Sequence, residues 1–319
     1  MTDNYDLKYY KDIKSKKVDW LWYPYIPYGK ITIVQGDPGE GKTTVLLNII
    51  SLLSNGEALP FTDKALSITS IYQNAEDDNS DTIKPRLENH KANCSKVCFI
   101  EKPSGMLFMD DDSIEEAIVE SKAKLLVLDP IQAYIGDNID MNRANSIRPK
   151  MNKLKETAEK TGCAIVLIGH MNKNSGGKAN YRGLGSIDIS AAARSVLVVG
   201  KMEKNSDVKV LAQLKNNLAP KGKSLSFVIK KDAIEWLGEC EISADDVMSG
   251  GVSDTSGKII LAEEFLIERL TEESVPSNML YEEAEQMGLS KRTLKRAKVN
   301  LPICSVKRNG CWYWEMKNE

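Results

Sequence analysis

The chain has 319 residues, with 43 Lys and Arg against 45 Asp and Glu, giving a formal net charge of −2. That balance excludes nucleic-acid binding through overall positive charge, so any such role has to come from a local patch. An apolar share of 42% and a charged share of 28% suit a soluble globular fold, long enough for one large domain plus a small one, or for two.

Six cysteines stand at 94, 98, 163, 240, 304 and 311 without a CxxC pair, beside two histidines, so no zinc site is expected. Reduced thiols fit a cytoplasmic location. Met1–Asp19 is polar, unlike a signal sequence. No apolar run reaches the roughly 18 residues of a membrane span.

In chain order, residues 1–19 form a polar arm with a Lys-rich stretch at 11–17, followed by the aromatic cluster Trp20-Leu21-Trp22-Tyr23-Pro24 and a turn at Tyr28-Gly29-Lys30. Ile31–Gln35 is β-branched and apolar, a buried strand. It leads into Gly36-Asp37-Pro38-Gly39-Glu40-Gly41-Lys42-Thr43, with Thr44 continuing a helix over 43–54. Strand, glycine loop and helix in that order make a P-loop. Its glycines let backbone N–H groups wrap phosphate oxygens, Lys42 reaches the β- and γ-phosphates, and the Thr43 hydroxyl binds Mg²⁺. The nucleotide-binding stretch is therefore Gly36, Asp37, Pro38, Gly39, Glu40, Gly41, Lys42, Thr43 and Thr44.

Further strands are expected at 66–73, 96–100, 124–129, 163–169, 195–200, 208–214, 225–230 and 233–237, with helices at 81–89, 113–121, 143–161 and 187–193. The alternation predicts a parallel sheet, and the late run of strands predicts antiparallel additions at one edge. Helix 143–161 carries an apolar face, with Pro149 as a start or kink point. Leu125–Leu128 ends in Asp129, a carboxylate placed to hold the Mg²⁺ water shell. Leu66–Gln73 ends near Glu76, expected at the tip of the strand beside the P-loop strand and there to polarise water, with Asp77 as the alternative. Ala164–Ile168 ends in Gly169-His170, where a polar tip can sense the γ-phosphate, although a merely exposed histidine fits the same residues. The glycine- and serine-rich loop Asn174–Gly185, together with Lys173, Lys178 and Arg182, suits contact with a nucleic-acid strand.

Residues 239–257 read as a polar linker, and 258–319 as a separate small domain after an ATPase domain over 20–238. The small domain has helices at 258–270, 277–287 and 291–300 and a hairpin on Asn309-Gly310, which look like a winged helix. Between Gly288 and Trp314 there are seven Lys or Arg and no Asp or Glu. Lys291, Arg292, Lys295, Arg296, Lys298, Lys307 and Arg308 thus form a candidate phosphate-binding footprint, with a protein-docking helix as the alternative.

The order of P-loop, Glu76, LLVLDP, IGHMNK and YRGLGSIDISAAARSVLVV resembles the RecA-like ATPases over about residues 18–237. More narrowly, with the entry WLWYPYIPYGK, it resembles the RepA-type hexameric helicases of plasmids, phages and integrated elements. The resemblance implies an α/β RecA-like core, ATP and Mg²⁺ as cofactors, a hexameric ring on single-stranded DNA, and replication-initiation partners. It places Arg194 as a cation donated to a neighbour's ATP, beside Lys42, Glu76, Asp129 and His170. Lys215 matches a second such cation in DnaB-like relatives, but Asn217 stands where they carry Arg. A DNA helicase or translocase follows, with a non-unwinding loader or regulator and a recombination mediator as alternatives. The C-terminal domain could add duplex DNA contact.

Overall fold

The structure, a computed structural model, describes residues 7–103, 105–136, 144–170, 187–202, 207–231, 233–249, 255–271, 273–308 and 311–316. The chain divides into two compact units, Met1–Gly251 and Val252–Glu319.

In the first unit, residues 7–19 are exposed. β1 (Trp20–Trp22) and β2 (Ile26–Pro27) then pair antiparallel. Trp22, Tyr25 and Ile26 are buried there, so the aromatic entry belongs to the core. β3 (Ile31–Gly36) is buried along its whole length, as a central strand covered on both faces must be. It turns into α1 (Lys42–Asn55), which packs Val45, Leu46, Ile49, Ile50 and Leu53 against the sheet and stops at Gly56, where φ is +75°.

β4 (Ser70–Asn74), α2 (Lys84–Asn89), β5 (Val97–Cys98), α3 (Asp112–Ser121) and β6 (Leu125–Asp129) follow. Next come α4 (Ala144–Thr161), β7 (Ala164–His170), α5 (Ile187–Ala192) and β8 (Ser195–Lys201). β9 (Lys209–Asn216), β10 (Ser224–Lys230), β11 (Ala233–Cys240) and α6 (Ala244–Met248) complete the unit. Pro149 lies inside α4, which buries Ile147, Met151, Leu154 and Ala158 on the sheet face opposite α1.

The nine strands are ordered β11-β10-β9-β8-β3-β7-β6-β4-β5. The six from β8 to β5 run parallel, and β9 to β11 are antiparallel additions at the β8 edge. This is the α/β sheet expected from the alternation of elements.

Two expectations need correction. β4, which leads to Glu76, does not neighbour β3, because β7 and β6 lie between them. Alternating strands and helices fix a parallel sheet but leave the order of strands to tertiary packing. The stretch 239–257 is not linker throughout. β11 runs to Cys240, and α6 buries Ala244, Val247 and Met248 against Val198, Val210 and Ala212 of β8 and β9. Ser243 and Asp246 close its first turn as a reciprocal capping box.

In the second unit, α7 (Thr255–Leu270), β12 (Val275–Pro276), α8 (Ser277–Gln286), α9 (Lys291–Asn300), β13 (Ile303–Arg308) and β14 (Cys311–Met316) surround their own core of Phe265, Leu266, Leu280, Leu294 and Trp314. The sheet order is β12-β14-β13, antiparallel. Gly288, at φ +72°, makes the turn between α8 and α9, and the Ser290 hydroxyl accepts from Thr293 N–H at 3.1 Å to start α9. Among the described residues no helix is long and apolar enough to cross a membrane.

Candidate active site

The parallel strands bring their carboxyl ends to one edge, where Gly36 pairs with His170 and Asn74 with Asp129. Ligands of open α/β sheets lodge beyond that edge, where neighbouring crossovers part. A cleft of about 520 Å³ lies there, lined among others by Gly39, Lys42, Thr43, Thr44, Glu76, Arg86, Asp129 and His170.

The loop has the shape its glycines require. Gly39 and Gly41 take φ +77° and +92°, values that L side chains adopt at a cost. A Cβ on Gly36 would fall 2.2 Å from Val199 O, and one on Gly41 2.6 Å from Ile229 Cδ1. Asp37 and Pro38 form the exposed lip of the loop. Glu40 turns to Lys209 of β9, 2.9 Å away, instead of toward the cleft. Lys209 Nζ also reaches Gly39 O at 3.3 Å.

Lys42 is 4% exposed. Its ammonium donates to Gly36 O at 3.0 Å and Asp37 O at 2.9 Å, and lies 3.3 Å from His170 Nδ1. Burial lowers its pKa, opposed chiefly by Asp129. An ammonium only donates, so His170 Nδ1 accepts, and a neutral ring then carries its proton on Nε2. Nε2 faces Glu76 Oε1 at 3.9 Å, beyond a direct hydrogen bond. Asp77 is held at 2.8 Å by Arg86, which leaves Glu76 as the carboxylate turned toward His170.

Asp129 Oδ2 accepts from the Thr43 hydroxyl at 2.7 Å and from the Tyr72 hydroxyl at 2.8 Å. Burial raises its pKa, opposed by those hydrogen bonds and by Lys42 and His170. Hydroxyl and carboxylate oxygens converging beside a buried lysine are the donor set that suits Mg²⁺ with a nucleotide's phosphates, and side chains are shut out at Gly36 by the Val199 backbone while Gly39 faces open space. Arg86, which lines the cleft, and Tyr72, buried behind it on Asp129, are both absent from the sequence reading. Tyr72 had a weak signal, since strand alternation sets it on the α1 face two residues before Asn74.

Arg194 lies elsewhere. Its N–H donates to Ile31 O at 2.9 Å, at the amino end of β3 and thus across the sheet from the P-loop. It helps Lys30, which bonds Glu159 at 2.8 Å, to hold the Glu159 carboxyl below its ordinary pKa. Lys215 donates to Ser190 O at 2.8 Å and Ala193 O at 2.9 Å, so its ammonium closes the end of α5. Lys173, Lys178 and Arg182 lie outside the described residues, as does the Asn309-Gly310 turn.

On the second unit, Lys291 and Lys295 are exposed on α9, where Arg292 and Arg296 also stand. Lys298 lies over the Trp314 ring at 4.3 Å and bonds the Ser305 hydroxyl. Lys307 lies over Trp312 at 5.9 Å. Arg308 bonds Glu315 at 2.6 Å and Ser274 at 2.7 Å, which neutralises one of the seven cations. The acid that does so sits one residue beyond the acid-free stretch.

A family model described as AAA domain matches residues 10–176. The chain is 23% identical over 233 residues to Protein RecA of Mannheimia haemolytica, covering 69% of this chain and 61% of that protein. It is 25% identical over 248 residues to DNA repair protein RadA of Halalkalibacterium halodurans, covering 76% of this chain and 49% of that protein. The chain thus spans between 49% and 61% of the length of these curated relatives. A KaiC-like protein from Pyrococcus horikoshii aligns with TM-score 0.49 at 18% identity, over 66% of this chain and 91% of that one.

Proposed function

Since the chain belongs to the AAA domain family, we propose that it is an ATP hydrolase that works on DNA, as a ring-forming helicase or translocase of the RepA type. The observation that carries the ATPase reading is the convergence of Lys42, Thr43 and Asp129 on one cleft, with His170 and Glu76 at its rim. Thr43 and Asp129 would hold Mg²⁺, which would neutralise negative charge on the phosphates. The backbone of residues 36–41 wraps the phosphates, and Lys42 exchanges its carbonyl partners for their oxygens. Glu76 orients water, and His170 couples the γ-phosphate to the chain that follows β7.

DNA action is supported by the basic stretch of the second unit, whose helix–strand–helix–helix–strand–strand order suits a winged helix. The likeness to RecA and RadA favours one second reading, a filament-forming recombination mediator.

The test is ATP hydrolysis with and without single-stranded DNA, alongside displacement of a paired strand. Wild type should be stimulated by DNA and displace the strand, Lys42→Ala should neither bind nor cleave ATP, and Glu76→Gln should bind without cleaving. Normal turnover by Lys42→Ala refutes the site. Filaments on DNA without strand displacement favour the second reading.

A further inference from the structure

On the hairpin of the second unit, residues 312 and 314 point to one face and 313 and 315 to the other. Trp314 is 4% exposed and serves the core, whereas Trp312, one step outward on the same face, is 53% exposed. Its cross-strand partner is Lys307, whose ammonium lies 5.9 Å from the indole centroid. The aromatic row continues inward, with Tyr281 edge-on to Trp314 at 5.4 Å. Lys291 lies over Tyr281 at 5.6 Å and Lys298 over Trp314 at 4.3 Å. Lys291, Lys295 and Lys298 are spaced i, i+4 and i+7, so they form one stripe along α9. The opposite hairpin face differs, because there Glu315 cancels Arg308.

We propose that Trp312 is a base-stacking platform for single-stranded nucleic acid, with Lys307 and the Lys291–Lys295–Lys298 stripe tracking the phosphates. The inference deepens the DNA-binding reading above and rests on it. An indole left half exposed in water, on a surface whose neighbours are cations, matches a ligand with flat apolar faces and regular negative charge. Duplex DNA buries its base faces in the stack and offers no such partner. An acidic protein surface would satisfy the lysines but gains nothing specific from an exposed indole beside them.

The experiment uses the full chain and three labelled probes: a short oligothymidylate, an abasic strand of equal charge, and a duplex of equal length. Wild type should prefer the base-bearing strand to the abasic one. Trp312→Ala should bind the base-bearing strand at least about fivefold more weakly, with abasic binding and the salt slope unchanged, and Trp312→Phe should recover most of the loss. Lys291→Gln with Lys295→Gln should weaken both single strands alike and flatten the salt slope. Thermal melting checks that each variant folds.

Equal binding of base-bearing and abasic strands, or Trp312→Ala losing affinity equally for all three probes, overturns the proposal while leaving the basic footprint standing. Wild type that binds poly-glutamate tightly, without preferring base-bearing DNA, overturns it in favour of an acidic protein partner. Wild type that binds no DNA at low ionic strength removes the broader DNA reading as well.

Discussion

Tyr72 carries a hydroxyl into the apolar layer between α1 and the sheet, where it is 3% exposed and ends 2.8 Å from Asp129 Oδ2. Both hydroxyls described on that carboxylate, from Thr43 and Tyr72, meet the same oxygen, Oδ2, and together restrain the group. Tyr72→Phe removes one donor and keeps the ring. A hydrogen bond to a charged group is worth about 1.5–3 kcal/mol, so ATP hydrolysis should fall at least about tenfold. Nucleotide binding in the presence of a chelator should hold steady while its Mg²⁺-dependent gain shrinks, as read by titration with a fluorescent nucleotide. An unchanged Mg²⁺ dependence would sink the positioning role. Tyr25 does structural work instead, donating to Lys223 O at 2.7 Å. Burial, with smaller help from Glu239 and Cys240, pushes its pKa from 10.0 up to about 12. In that window the folded chain keeps a proton that the unfolded chain has lost, so the phenol's stabilisation is complete below pH 10 and drains away as pH rises through about 12. Tyr25→Phe should cost about 1 kcal/mol near neutrality, and its deficit against wild type should narrow across that alkaline window in urea titrations. A deficit independent of pH would show that the hydroxyl is not the cause.

At the scale of elements, the antiparallel edge has a task beyond extending the sheet. β9 sends Lys209 to Glu40 and Gly39 O, and β10 sets Ile229 against Gly41, so two late strands brace the outside of the P-loop. Lys209→Ala should leave Glu40 without its partner in a mostly covered position and loosen the loop. The KM for ATP should rise severalfold, with kcat changed less, and restoration by Lys209→Arg would tie the effect to the ion pair. Loss of kcat alone would argue against bracing. None of this was legible in the sequence, because residues 40 and 209 meet through strand pairing that no local spacing encodes. The P-loop itself was legible, since its chemistry demands contiguous residues in a fixed order between a strand and a helix. Asp129 and His170 were legible for a related reason: each ends an apolar strand, and parallel strands deliver their ends to one edge. The place of β4 was not, because crossovers decide strand order. α6 was hidden by its polar composition, although Ser243 and Asp246 carry the spacing of a capping box. The basic count on 288–314 was legible, but not its partial cancellation, which depends on Arg308 and Glu315 facing each other across the hairpin.

For the whole molecule, the decisive geometry is that the two ends of the parallel sheet bear different chemistry. The P-loop, Asp129, Glu76 and His170 gather at the carboxyl end, whereas Arg194 sits at the amino end, where Ser195 pairs with Thr32. From Thr32 to Gly36 the strand alone rises about 13 Å, so Arg194 cannot serve the cleft of its own chain. If it neutralises transition-state charge, it does so for a neighbour, in a head-to-tail ring where each interface joins one chain's cleft to the next chain's far end. The competing account keeps Arg194 at home, in the charged group with Lys30, Glu159 and Lys215. Mixing separates the two. Arg194→Ala alone should lose about 10³-fold of its turnover, and Glu76→Gln should be comparably dead. In an equal mixture that assembles at random, roughly a quarter of interfaces join an intact Glu76 to an intact Arg194, and activity should return toward that fraction. Covalently linked dimers fix the arrangement: Glu76→Gln and Arg194→Ala on separate halves leave alternate interfaces intact and should recover turnover, whereas both on the same half leave each interface short of one of the two and should not. Recovery requires that the two residues come from different chains. If the mixture stays inactive although light scattering shows mixed assemblies of wild-type mass, Arg194 belongs to the fold of its own subunit, and the cation that completes the site has to be sought elsewhere on the neighbour.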